Sequence, residues 1–379
     1  MRIVIAPDSF KECLSATSVA AAISAGVKKV NPEAEMVCIP VADGGEGTVE
    51  AIVSATNGII KETASVDALN RPIRSFYGIL DDGKTAVIEM AAASGIELII
   101  PQERNPLITS TYGTGLLLKA AIDNGFKNII LAIGGSATND GGAGMAQALG
   151  FDLQDKNEEP IGLGGGSLAD LYSIDSSHVH PLLSTVKITI ACDVRNSLLG
   201  TSGATLVYGP QKGATPPMLD ILEENMAHFS SILQQKFGTN FAEIPGSGAA
   251  GGLGAGLLAF CKAQLISGFE LINQLTHLED QISRADLVFT AEGRIDSQTA
   301  FGKTISGVAQ LGKKYQVPVI ALAGKIEDDL TRLYSQGITA VFAIGDRPMS
   351  LDESKERAAE LLAGTVEQLM RILSVSAKK

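Results

Sequence analysis

The sequence predicts an α/β protein of two domains: a Rossmann-like parallel-sheet domain built from both chain ends, and a mixed α/β domain inserted into it. Three observations carry this. Both ends alternate short apolar runs with helical patterns, the arrangement that covers a parallel sheet on both faces. The middle opens instead with the pattern of an antiparallel hairpin. Glycine, 41 of 379 residues, gathers at predicted strand ends and follows no collagen-like period.

Residues 2–6 form an apolar run too short for a signal peptide that meets Asp8 at once, so they predict a first strand. Val19, Ile23, Val27 and Val30 follow at helical spacing and stop at Asn31-Pro32. A second strand at 36–40 leads through a glycine-rich loop into a helix carrying Val49, Ile52 and Val53. The hairpin is predicted at 73–80 and 85–90, split by Asp81-Asp82-Gly83. Strands at 129–133 and 186–191 follow, and a helix near 218–237 turns Leu222, Met226, Phe229 and Leu233 inward. The C-terminal part repeats the first grammar, with strands at 287–290, 317–323 and 340–344. Its final helix directs Ala358, Leu361, Leu362, Val366, Leu369 and Ile372 to the core. The boundaries are therefore 1–65 with 281–379 for the Rossmann-like domain and 66–280 for the insert.

Charge and composition narrow the function classes. Forty-two acidic against 30 basic residues leave a net charge of −12, a field that repels nucleic acid and anionic membranes. Any anionic ligand must be held locally. Cys13, Cys38, Cys192 and Cys261 are widely spaced, with no zinc-type pair, and a reduced, cytoplasmic setting is expected. The longest apolar stretch, 248–261, is shorter than the ~18 residues a membrane span requires.

The chemistry lies in loops that follow predicted strands, where open α/β sheets bind ligands. Asp8, Ser9 and Lys11 place a carboxylate, a hydroxyl and an ammonium within four residues, although a helix cap beside a surface lysine also explains them. In Asp43-Gly44-Gly45-Glu46-Gly47-Thr48 the glycines allow close backbone approach, and Asp43 and Glu46 suit Mg²⁺ or a hydroxyl. Gly134, Gly135, Ser136, Thr138 and Asp140 precede a helix, so successive amides there predict an anion site with hydroxyl donors. Asp193 ends another strand, where an ordinary N-cap is an equal alternative. Residues 246–251 spell G-x-G-x-x-G, yet the short run before them ends in Pro245, so a phosphate-facing helix start is expected there, not a dinucleotide fingerprint. Glu292, Arg294 and Asp296, then Ser297, Gln298 and Gly302-Lys303-Thr304, lack Walker spacing but suit a polyphosphate and its metal. No Ser/His/Asp order supports a hydrolase.

Taken in order, these segments resemble the class I bacterial glycerate kinase family from end to end. The resemblance rests on APDSFK (6–11), PVADGGEGT (40–48), IEMAAASG (88–95), GTG (113–115) and IGGSATNDGGAGMAQALG (133–150). It continues through GPQKGA (209–214), AAGGLGAGLLAF (249–260) and EGRIDSQ (292–298). Ala291 and Ser197 depart from the family's usual glycine and proline at those places. The resemblance implies ATP- and Mg²⁺-dependent phosphorylation of D-glycerate, at the 2-hydroxyl for class I, with the active site in the cleft between the two domains. On that reading Lys11, Arg294, Asp193 and Asp43 are catalytic, and Asp8, Ser9, Gly44, Gly45, Glu46, Ser297 and Gln298 bind the acid. Gly134, Gly135, Ser136, Thr138, Asp140, Gly251, Gly252, Gly254 and Lys303 take the nucleotide, and Asp193, Glu292 and Asp296 the metal. The partners are D-glycerate and ATP, with no nucleic acid or membrane and a homodimer left open. Two rivals stand beside it: a non-catalytic two-domain protein binding a small acid, and an NAD-dependent dehydrogenase resting on the G-x-G-x-x-G alone.

Overall fold

The computed structural model describes residues 1–376 apart from Asp43, Glu46, 297–302 and Asp328, with the backbone alone for Lys303 and Ser376. Its strands in chain order are β1 (Arg2–Ile5), β2 (Glu35–Cys38), β3 (Ile59–Val66), β4 (Pro72–Ile79), β5 (Thr85–Glu89) and β6 (Asn128–Ala132). They continue with β7 (Asp152–Gln154), β8 (Ser173–Asp175), β9 (Lys187–Ala191), β10 (Gln264–Ile266), β11 (Leu287–Ile295), β12 (Val319–Ile326) and β13 (Ala340–Ala343). The chain divides into a terminal unit, Met1–Asp43 with Glu50–Asn57 and Ser267–Lys379, and a central unit, Gly44–Val49 with Gly58–Ile266.

The terminal unit holds a parallel sheet in the order β13-β12-β11-β1-β2. Its central strands are fully buried at Ile3, Val4, Ile5, Phe289 and Leu322, as expected where helices cover a parallel sheet. The helix Ala16–Lys28 starts at Ser15, whose hydroxyl accepts from Ser18 N at 3.3 Å. It pairs with the helix Ala358–Ser376 over that sheet. Gly26 lets the two backbones close, since a Cβ there would lie 2.5 Å from the Ala363 carbonyl oxygen. Ile372, expected inward, is 65% exposed. The buried stripe runs Leu362, Val366, Leu369, Met370 and on to Leu373, which leaves position 372 about a hundred degrees round the helix from 373. From β1 the chain moves to β2 on one side, and from β11 to β12 on the other, so the strand order reverses between β1 and β11. Such a reversal opens a ligand crevice beyond the carboxyl ends of the two strands.

The central unit holds a mixed sheet in the order β10-β9-β6-β5-β4-β3, parallel from β10 to β5 and antiparallel beyond. The hairpin β4–β5 and the strands β6 and β9 stand where the sequence predicts them. β3 was not expected, because its exposed edge alternates polar and apolar residues weakly. β7, β8 and β10 are three residues each, too short to show a period. β11 runs on through Ile295, so Glu292 and Arg294, read as loop residues, lie on a strand, with Arg294 opposite Lys325 of β12.

The helices Pro216–Phe237 and Leu253–Cys261 bring an aromatic cluster together at the core of the central unit. Phe260 stands 4.8 Å from Phe151, 5.6 Å from Phe237 and 6.4 Å from Phe229, ring centre to ring centre. Phe260→Ala is therefore expected to cost about 3–5 kcal/mol, the range for truncating a buried phenylalanine, read as a lower urea midpoint. An unchanged midpoint would show that the cluster closes without cost.

Candidate active site

In the central unit the carboxyl ends of β5, β6 and β9 meet the loop that carries Gly44, Gly45 and Gly47. Glu89 ends β5, is almost fully buried, and accepts from Gly47 N and Val49 N at 3.2 Å each. It thereby caps the helix Thr48–Ala55, whose Thr48 hydroxyl donates to the Gly45 carbonyl at 2.6 Å. Gly134, just beyond β6, donates to the Gly44 carbonyl at 2.8 Å, and a Cβ on Gly134 would lie 2.5 Å from Gly45 Cα. A Cβ on Gly44, whose φ is +84°, would lie 3.0 Å from the Ala191 carbonyl oxygen at the end of β9. Gly44 and Gly134 thus serve backbone-to-backbone packing, where close approach to a ligand was expected. Half-buried Asp193 follows β9 by two residues. Asp43 and Glu46 lie outside the described residues.

The segment Gly134–Ser136 forms an apex beyond β6. Its flanks are pinned: Ile96 N donates to the Gly135 carbonyl at 2.8 Å and Ala137 N to the Ser94 carbonyl at 3.0 Å. The N–H groups of Gly135 and Ser136 meet no acceptor among the described residues. Gly135 has φ +73° and is exposed. Two adjacent, fixed donors of this kind suit an anion.

Beyond the apex the sequence-based expectation needs correction. Asp140, expected at the nucleotide, is fully buried and already satisfied: Thr111 N (2.8 Å), Thr111 Oγ1 (2.9 Å), Ser110 Oγ (3.3 Å), Gly142 N (3.2 Å) and Gly144 N (3.3 Å) donate to it. The Thr111 hydroxyl also accepts from Met145 N at 3.0 Å. The N-terminus of the helix Ala143–Ala148 therefore holds an internal carboxylate and offers no anion site. Burial pushes the Asp140 carboxyl up while these donors oppose the shift. Thr138 is fully buried too; its carbonyl accepts from Lys212 Nζ at 2.7 Å. Lys212 is 1% exposed, and burial pulls its ammonium down to about 7 against the attraction of Asp140.

Gly251, Gly252 and Gly254 are likewise buried against other backbone. A Cβ on Gly251 would fall 2.0 Å from the Thr138 carbonyl oxygen, one on Gly252 2.9 Å from Gly141 Cα, and one on Gly254 2.3 Å from the Gly246 carbonyl oxygen. Gly252 N and Gly254 N donate to the carbonyls of Gly248 and Ala249. These two amides are spent within the loop, whereas Gly251 N meets no acceptor among the described residues. Residues 241–243 form a 3-10 helix and 245–252 are turns, with no strand before them, which removes the structural basis of the dinucleotide fingerprint.

In the terminal unit the site residues gather at the reversal between β1 and β11. Asp8 N donates to the Ala291 carbonyl at 2.8 Å, and the buried Asp8 carboxylate accepts from Ser9 N at 2.6 Å. Gly293 lies beside Phe10, with Lys11 exposed next to it. Arg294 reaches Asp296 and Glu327, both at 2.9 Å, and Lys325 pairs with Glu327 as well. The Lys325 hydrogen bond, then the Arg294 charge, hold the Glu327 carboxyl below its usual range. Glu292 is half-buried on the same strand. Lys303 begins the helix Lys303–Tyr315. Ser297 and Gln298 lie outside the described residues.

Glu89 and Lys212 escaped the sequence reading. A signal for Glu89 was present, an acid between Ile88 and Met90 at the end of an otherwise apolar strand. Lys212 gave none beyond its place in GPQKGA, since a lysine beside a glycine reads as surface. Glu89→Ala leaves Gly47 N–H and Val49 N–H without their acceptor, and the expected cost is about 1–3 kcal/mol, read by urea denaturation. A midpoint equal to wild type would mean that water replaces the carboxylate freely.

The described helices include none long and apolar enough to cross a membrane. Residues 3–374 match the glycerate kinase family. The chain is 51% identical over 369 residues to a glycerate kinase of Bacillus subtilis (strain 168), covering 97% of both chains. It is 47% identical over 375 residues to a glycerate 2-kinase of Escherichia coli (strain K12), covering 99% of this chain and 98% of that one. A crystal structure assigned as glycerate kinase 2 from Salmonella typhimurium LT2 superposes with a TM-score of 0.89 at 45% identity, over 100% of both chains. With matches of this extent in sequence and in fold, the chain belongs to the glycerate kinase family.

Proposed function

We propose that the chain transfers a phosphoryl group from ATP to the 2-hydroxyl of D-glycerate, giving 2-phospho-D-glycerate. The observation that carries the reading, beside the family, is the pair of uncommitted N–H groups on Gly135 and Ser136 at the carboxyl end of a parallel strand. Phosphoryl transfer asks chiefly for positioning and for fixed positive potential around the phosphate oxygens, and such donors supply it without reorganising.

In this reading the apex holds nucleotide phosphates, and Lys11 and Arg294 hold the glycerate carboxylate and the transferring group. Asp193 accepts the hydroxyl proton late in the transfer, because an alcohol holds its proton too firmly to lose it first. Asp193 and Glu292 offer the carboxylate oxygens that Mg²⁺ prefers, and Asp296, engaged by Arg294, completes that set. When bound, Mg²⁺ would neutralise charge on the phosphates. The four free thiols, Cys13, Cys38, Cys192 and Cys261, suit a reducing cytoplasm.

Coupled ADP release with ATP, Mg²⁺ and D-glycerate tests the reaction, with phosphorus NMR of the product and L-glycerate and EDTA as controls. D-glycerate-dependent turnover that EDTA abolishes and a 2-phospho product are expected; a 3-phospho product overturns the regiochemistry. Asp193→Asn should lower kcat by about a hundredfold or more, the range for a lost positioned base. A kcat equal to wild type would remove Asp193 from the chemistry.

A further inference from the structure

Lys212 stands among the largest fully buried side chains, on the turn Pro210–Lys212. Burying an ammonium is costly unless a specific bond requires it. Here the bond is to a main-chain oxygen: Nζ donates to the Thr138 carbonyl at 2.7 Å. Gly213, with φ +93°, fixes the turn, for a Cβ there would fall 2.3 Å from the Arg104 carbonyl oxygen. Across the same Thr138 carbonyl lies Gly251. The next residue, Asn139, donates through Nδ2 to Thr205 Oγ1 at 3.1 Å. Yet Thr138 Oγ1 and Asn139 Oδ1 are buried without a hydrogen-bond partner among the described residues. The segment is therefore held in place by its neighbours more than by bonds of its own. Thr138 is two residues from Ser136, and the apex is tied upstream by the Gly44 carbonyl and flanked by Ser94 and Ile96.

We propose that Lys212 is a positioning residue: by holding the Thr138 carbonyl it sets the downstream end of the Gly134–Ser136 apex and so aims the Gly135 and Ser136 N–H groups. The inference rests on the reading that this apex receives nucleotide phosphates. A methionine fills about the volume of the lysine stem but cannot donate, so Lys212→Met removes the bond with little change in packing. Asp140, the anion that faces Lys212, would then lie buried without its counter-charge, and Lys212→Met/Asp140→Asn removes both charges together.

The test is steady-state kinetics of wild type, Lys212→Met, the double variant and Gly135→Ala, with ATP and D-glycerate varied in turn and folding checked by circular dichroism. KM for ATP should rise about tenfold or more in Lys212→Met and in the double variant, with KM for glycerate unchanged, as for a loss of preorganised geometry. Should the single variant fail to fold, the double variant carries the test against Asp140→Asn alone, above which its KM for ATP should rise by about a further tenfold, and a KM equal to that of Asp140→Asn overturns the inference. A folded variant with the wild-type KM for ATP overturns the inference, as does a fall in kcat that only follows the folded fraction. Gly135→Ala separates the two ideas. A raised KM for ATP there beside an unchanged one in folded Lys212→Met overturns the role of Lys212 alone, and an unchanged KM in Gly135→Ala overturns the apex reading and this inference with it.

Discussion

The central unit is organised around one buried carboxylate. A carboxylate out of water needs a donor for nearly every lone pair, and the chain supplies them to Asp140 from two places: the Ser110-Thr111 turn and the amides of Gly142 and Gly144. Gathering these donors bends the chain from 138 to 144 into one conformation. The helix that follows receives at its positive end a carboxylate from its own sequence.

The glycines follow from the same constraint. With Asp140 and Lys212 drawing segments together, the loops 138–142 and 246–256 cross with backbone against backbone, and at Gly251 and Gly254 even one methyl group would overlap a carbonyl oxygen. Phosphate loops and tight core crossings select the same residue, because both need a main chain with nothing projecting from it. Only the fate of the N–H groups tells them apart. Those of Gly252 and Gly254 are spent internally, whereas those of Gly135 and Ser136 are not.

The terminal unit solves a different problem. Its site residues stand where a parallel sheet reverses order, and pairing of β11 with β12 carries Arg294 out beyond the core beside Lys325. Asp296 and Glu327 hold the Arg294 guanidinium in a network of both signs. Its two cations are exposed, so its value lies in orienting the arginine and little in stability.

The sequence alone determined the class of fold, most strand and helix positions, and the family, because buried parallel strands and amphipathic helices leave local periods and the glycine-rich phrases keep their order. It also marked the loops that end β1, β6, β9 and β11. The edge strand β3 left no such trace, since an edge exposed to water needs no apolar alternation. Which members of each loop face outward was decided by tertiary structure alone. Asp140, Gly251 and Gly254 share composition with ligand-binding loops, yet Thr111 takes up the carboxylate of the first, and Thr138 and Gly246 fill the space beside the others. Glu89 and Lys212 gain their roles the same way, from contacts more than 35 residues distant in the chain. Burial and hydrogen-bond satisfaction are properties of what lies around a group, and a residue's neighbours in space are not written in its neighbours in sequence.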